Sequence, residues 1–106
     1  MTRKLVVRQR ARTDVRAARK WYEDQRAGLG AQFVAAVDAT LADIVAMPQR
    51  FPEVSPGFRR ALVDRFPYKV IFRELAQRIV VVAVYHNSRD PAGWQERIDE
   101  ETNRGR

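Results

Sequence analysis

Residues 59–72 read RRALVDRFPYKVIF and residues 79–94 read IVVVAVYHNSRDPAGW. Both runs are rich in β-branched and aromatic residues, which suit the half-buried surface of a pleated sheet. Three strands follow from this half of the chain: Phe58 to Val63, Pro67 to Arg73, and Arg78 to His86. Pro67 opens its strand, where a missing N–H is tolerated. The links between the strands are short, so neighbours pair as antiparallel hairpins.

Side chains alternate across a strand, so the loop length fixes which residues share a face. A loop of even length centred on Leu75 and Ala76 puts Tyr68, Val70 and Phe72 with Ile79, Val81, Ala83 and Tyr85. This all-apolar set is expected to meet the helices. Lys69, Ile71 and Arg73 then share the outer face with Val80, Val82, Val84 and His86. That face is half hydrophobic, whereas the open face of an antiparallel sheet is usually polar. It calls for a cover: the C-terminal helix, a partner or a ligand.

Working outward, Lys4 to Arg8 reads as a short first strand. From Arg10 to Arg26, Val15, Ala18, Trp21, Tyr22 and Gln25 recur at spacings of three and four, the mark of a helix with one apolar face. Trp21, Tyr22 and Phe33 are expected in the core. Gly28 and Gly30 punctuate the helix end, and Leu29 to Ala46 carries a stripe of Leu29, Phe33, Val37, Leu41 and Ile44 that Pro48 stops. The pair makes an antiparallel helical hairpin. Residues 48–57 hold three prolines and Gly57 and read as loop, anchored by Phe51; Pro91 to about Glu101 reads as a short last helix. The fold class is α+β: an N-terminal strand, a helical hairpin, a three-stranded antiparallel meander completing one sheet, and a C-terminal helix.

A chain of 106 residues supports one domain, taken as 1–106. It has no cysteine, hence no disulfide or thiolate metal site, and the expected compartment is a reducing cytoplasm. The N-terminus lacks the apolar core of a signal peptide. The longest apolar run, Ile79 to Tyr85, is too short to span a bilayer, so no membrane partner is expected. The net charge of +7 is uneven. Residues 1–26 hold nine basic and three acidic groups, and residues 49–73 six and two; residues 27–48 hold only Asp38 and Asp43. Such an excess favours polyanions or an acidic protein.

His86 is the only histidine. It reads either as a general acid or base, or as a strand-end residue bonded to a neighbouring loop. With no second histidine and no cysteine, no metal site is expected, and no cofactor. Arg59, Arg60, Arg65, Lys69, Arg73 and Arg89 form a second basic cluster suited to phosphates or to developing charge, or simply to a solvated face. Trp94 either stacks on a base or partner, or packs the last helix onto the sheet. No phosphate-binding glycine loop, nucleophile elbow or carboxylate pair is present.

Four local patterns, in order, resemble the toxin half of bacterial type II toxin–antitoxin modules, the RelE/ParE superfamily. They are Trp21-Tyr22-Glu23 with Gly28-Leu29-Gly30 and Phe33; Ile44, Pro48, Phe51 and Pro52; Phe66 to Phe72; and Val84, His86, Arg89, Pro91 and Trp94. They span residues 4–97 and sit closer to the ParE branch. That resemblance implies a helical hairpin on an antiparallel sheet, and a gyrase-inhibiting toxin neutralised by a cognate antitoxin in a hetero-oligomer. It places antitoxin docking on the outer-face residues Ile71, Val80, Val82 and Val84, and target binding on Arg59, Arg60, Lys69, Arg89 and Trp94. The alternative is a RelE-like nuclease that cuts mRNA on the ribosome, with Lys69 and Arg89 holding phosphate charge, Arg59 near a lysine position and His86 moving a proton. The late tyrosine of those nucleases is missing, and Trp94 stands near its place. A second alternative is a non-toxic relative that only binds a partner.

Overall fold

The computed structural model describes residues 3–104. Strand β1 (Lys4–Val7) leads into helix α1 (Gln9–Gln25) and helix α2 (Leu29–Ala46). A single 3₁₀ turn, Pro48–Arg50, precedes β2 (Glu53–Ser55), β3 (Phe58–Leu62), β4 (Tyr68–Leu75), β5 (Arg78–His86) and helix α3 (Pro91–Arg104). The five strands form one sheet in the order β1-β5-β4-β3-β2. β1 is parallel to β5, and the other pairs are antiparallel. The expected meander is therefore present, with β1 beside it and one short strand, β2, inside the segment read as loop.

The α1–α2 turn follows from three residues. Gly28 adopts φ 88°, a left-handed conformation open to glycine. At Gly30 a Cβ would come within 2.7 Å of the Arg19 carbonyl oxygen, so its absence lets the helices approach. The Glu23 carboxylate accepts the backbone N–H groups of Gly28 and Gly30, both at 3.0 Å, capping the start of α2. Those two bonds hold the Glu23 carboxyl below the ordinary carboxylate range.

By length and composition α2 resembles a membrane span, yet Phe33, Ala36, Val37, Thr40 and Ile44 are buried within the protein. Between the hairpin and the sheet, Tyr22 stacks on Phe33 at 5.2 Å. Phe66 meets both rings, at 5.0 and 5.3 Å, and Tyr68 meets Phe33 at 5.0 Å. Phe66-Pro67-Tyr68 thus delivers two rings to the helices from one tight corner.

The face assignment holds along β4, and on β5 only near the β4–β5 turn. Phe72 pairs with Val81 and Arg73 with Val80, but beyond a shift between Ile71 and Phe72 the partners become Ile71–Ala83, Val70–Val84, Lys69–Tyr85 and Tyr68–His86. Val82 is the extra residue of a β-bulge, and an inserted residue inverts every following side chain. Val84 therefore joins the helix-side core, while Ala83 and Tyr85 join Val80, Val82 and Ile71 on the outer face. His86 lies on the helix side with Tyr68. Two of the expected outer-face residues, Val84 and His86, are thus on the other side.

The outer face is covered by α3. Ile98, 3% exposed, and Trp94 pack on Ile71, Val80, Val82 and Tyr85. Asp90 starts the helix: its carboxylate accepts the Ala92 N–H at 2.9 Å. Gly93 then crosses directly above the Tyr85 hydroxyl, where a Cβ would collide with it.

Candidate functional site at the end of the sheet

The site must be built around the bulge, because the bulge sets what the strand ends present. β1 stops at Val7, and the Arg8 N–H makes the last bond along that edge, to Val81 O. Past this point the outer backbone edge of β5 has no strand beside it. Asp14 of α1 and Arg97 of α3 fill the gap. The Asp14 carboxylate accepts the Val84 N–H at 3.0 Å, and Arg97 donates to Val82 O at 3.0 Å. The two side chains join through bonds of 2.7 and 2.8 Å. One ion pair thus satisfies the bulged backbone and ties α1, β5 and α3 together.

A second buried carboxylate, Glu101, anchors the next turn of α3. It takes Arg8 through two bonds of 2.8 and 3.0 Å and Arg73 at 3.1 Å. Arg73, placed by the sequence in a basic cluster suited to phosphates or to solvent, is bound within the protein instead. Burial alone would raise the Glu101 carboxyl, but the Arg8 hydrogen bonds and the charges of Arg8, Arg73 and Arg104 hold it below its usual value.

At the far end of β4 and β5 the sequence-singled residues fall on different sides. Lys69 is on the outer face, its ammonium 5.9 Å from the centre of the Trp94 ring. Burial, then the nearby charge of Arg60, pushes its pKa down. Arg60 pairs with Ile71 and so shares that face. Arg59 pairs with Phe72 on the opposite face, and its guanidinium donates to the Phe51 carbonyl at 2.6 Å. It latches the 48–52 loop and does not join Lys69. The Arg89 guanidinium lies 4.3 Å over the Tyr85 ring, at the rim between the two faces.

His86 meets Tyr68 edge-on at 5.1 Å. Its Nδ1 accepts the Ser88 N–H at 3.0 Å and lies 2.7 Å from Ser88 Oγ. With Nδ1 accepting the backbone, the ring proton of the neutral imidazole is on Nε2. The free nitrogen is then a donor, which is the strand-end reading of His86. Beside it Trp21, Tyr22, Pro67, Tyr68, Ser88 and Arg89 complete a cleft of about 450 Å³. Trp21 is 58% exposed here, contrary to its expected place in the core. Among the described residues no cluster of potential metal ligands occurs.

A helical hairpin over a mostly antiparallel five-stranded sheet makes an α+β protein with the architecture that the RelE/ParE resemblance implies. The same fold occurs in a solved structure described as "Chromosomal ParDE TA system from P. aeruginosa". The TM-score is 0.72 at 17% identity, covering 80% of this chain and 96% of that one. The family model "ParE toxin of type II toxin-antitoxin system, parDE" matches residues 5–91. The chain belongs to the ParE toxin family and is a type II toxin component. The match ends where α3 begins. No curated protein matches the chain.

Proposed function

We propose that this toxin acts in the cytoplasm by binding and inhibiting DNA gyrase, and that a cognate antitoxin neutralises it in a hetero-oligomer. The observation that carries this reading over mRNA cleavage is the dispersal of the nuclease set. Lys69 and His86 lie on opposite faces of the sheet, Arg59 is bonded to a loop carbonyl, and of the set only Arg89 shares the cleft with His86. Proton transfer and phosphate stabilisation need their groups around one reacting atom. A binding surface has no such requirement. Arg60, Lys69, Trp94 and Arg89 remain as a cationic, aromatic patch for the target. Arg59 leaves that set.

The purified protein is expected to block gyrase supercoiling and to accumulate cleaved DNA, without cutting mRNA in a translation extract. His86→Ala should retain growth arrest within about twofold. Ribosome-dependent cleavage that His86→Ala or Lys69→Ala abolishes would instead establish the nuclease.

The antitoxin surface needs revision under this reading. Ile71, Val80 and Val82 lie beneath α3, and Val84 lies in the helix-side core. While α3 is seated, a partner must dock elsewhere.

A further inference from the structure

We infer that the cleft between the end of α1 and the β4–β5 strand ends is the antitoxin's anchoring site, and that it takes a bulky apolar side chain flanked by a carboxylate. This rests on the antitoxin reading above.

The cleft differs from the rest of the surface in three ways. First, Trp21 stands 58% exposed on the last turn of α1, edge-on to Tyr22 at 5.1 Å. A tryptophan so placed, facing Pro67 and the rings of Tyr68 and His86, leaves a large apolar surface uncovered. Second, the volume of about 450 Å³ suits one or two large side chains and is open to solvent on one side. Third, Arg89 sits at its rim. Its guanidinium is steadied on the Tyr85 ring, and among the described residues it has no carboxylate partner. Among the described residues no acidic side chain lines the cleft.

An aromatic floor with one oriented guanidinium fits an acidic, amphipathic peptide segment: the apolar anchor enters, and a neighbouring Asp or Glu meets Arg89. The chain's charge of +7 favours the same partner from a distance. Single-stranded nucleic acid fits less well. It needs a basic track along successive phosphates, and among the described residues Arg89 is the only arginine or lysine lining the cleft.

The test uses the full chain. In one arm the ¹⁵N-labelled protein is titrated with an acetylated peptide holding Leu-Trp between glutamates, with its lysine counterpart, and with hexathymidylate. Saturable shifts at the Trp21 indole N–H and at the amides of His86 to Arg89 with the glutamate peptide alone support the inference. No shifts there, or equal shifts with the lysine peptide, overturn it. Shifts there with hexathymidylate overturn it in favour of nucleic acid. In the second arm, a short reading frame is sought beside this gene, and calorimetry measures binding of the small protein that it encodes. Trp21→Ala and Arg89→Glu should each weaken it at least about tenfold, while Leu62→Ala, equally exposed in a different groove, changes it less than about twofold. Equal affinity for all variants overturns the inference and leaves the antitoxin reading standing. A wild-type chain that neither binds that protein nor is relieved of growth arrest by it removes the antitoxin reading itself, and with it the assignment of the cleft to an antitoxin. Retained peak dispersion in the variant spectra separates lost contact from lost fold.

Discussion

Asp14 carries more of this structure than its place in the sequence suggests. It is one acid in a mostly basic helix, yet its carboxylate bonds a backbone amide 70 residues away and an arginine 83 residues away. Nothing local marks it, because the partner groups exist only once β5 bulges and α3 closes over it. The same holds for Arg97 and Glu101, 7% and 2% exposed, which read as ordinary polar positions of a terminal helix. The residues that were legible are those whose chemistry is local. Gly28, Gly30, Pro48 and Pro67 punctuate elements wherever they occur. Trp21 was misplaced because helical periodicity fixes a face but not how far the sheet beneath it extends. Removing Asp14 leaves the Arg97 guanidinium buried without its counter-charge. Asp14→Ala is therefore expected to cost about 3–5 kcal/mol in urea unfolding. Asp14→Ala combined with Arg97→Met should cost clearly less than the two single changes added, because the pair is coupled. Additive losses would mean that the two side chains act independently.

At the scale of elements, the apolar stripe of α2 and the strand boundaries of β3 and β5 could be read almost residue by residue. The facing of β5 could not. The run Val80-Val81-Val82-Ala83-Val84 is uniformly apolar, so no polar alternation reveals where an extra residue enters. Short β2 was hidden for a different reason, because the flanking Pro52 and Pro56 signal loop and only pairing with β3 makes it a strand. The expectation of a cover for the outer face was right, and α3 supplies it from within the chain. Ile98 gives α3 an apolar contact of about 1.5–3 kcal/mol, and much of its attachment is ionic. Glu101 therefore makes the seating of α3 depend on pH. Its folded pKa lies below the unfolded one, so the stabilisation is present above the ordinary carboxylate range and is lost as pH falls through the depressed value. Urea midpoints of the wild type should drop as pH falls from roughly 5, and those of Glu101→Gln should drop less over the same window. Parallel curves would show that other carboxylates govern acid unfolding.

For the whole molecule, the charge pattern along the chain is reorganised by folding. The acidic side chains of α3 do not stay separate from the basic N-terminus. Glu96 and Glu100 pair with Arg10, Glu101 with Arg8 and Arg73, and Glu74 with Arg3. The net +7 is then expressed elsewhere, on cations without a carboxylate partner among the described residues. Arg12, Arg16 and Arg19 lie on α1, Arg60 and Lys69 on the outer face, and Arg89 at the cleft rim. Arg89 and Trp21 share the cleft, and Lys69 and Trp94 share the target patch, so free charge adjoins aromatic surface at both proposed binding regions. Charge of this kind acts mainly on encounter, and aromatic burial on dissociation. Stopped-flow association with the adjoining-frame protein should therefore slow about tenfold or more between low salt and about 0.15 M, where the Debye length shortens to about 8 Å. The dissociation rate should change little over the same range. Trp21→Ala should do the reverse, speeding dissociation while leaving the salt slope of association intact. If salt instead accelerated dissociation as strongly as it slowed association, the complex would be held chiefly by ion pairs and the aromatic anchor would be incidental.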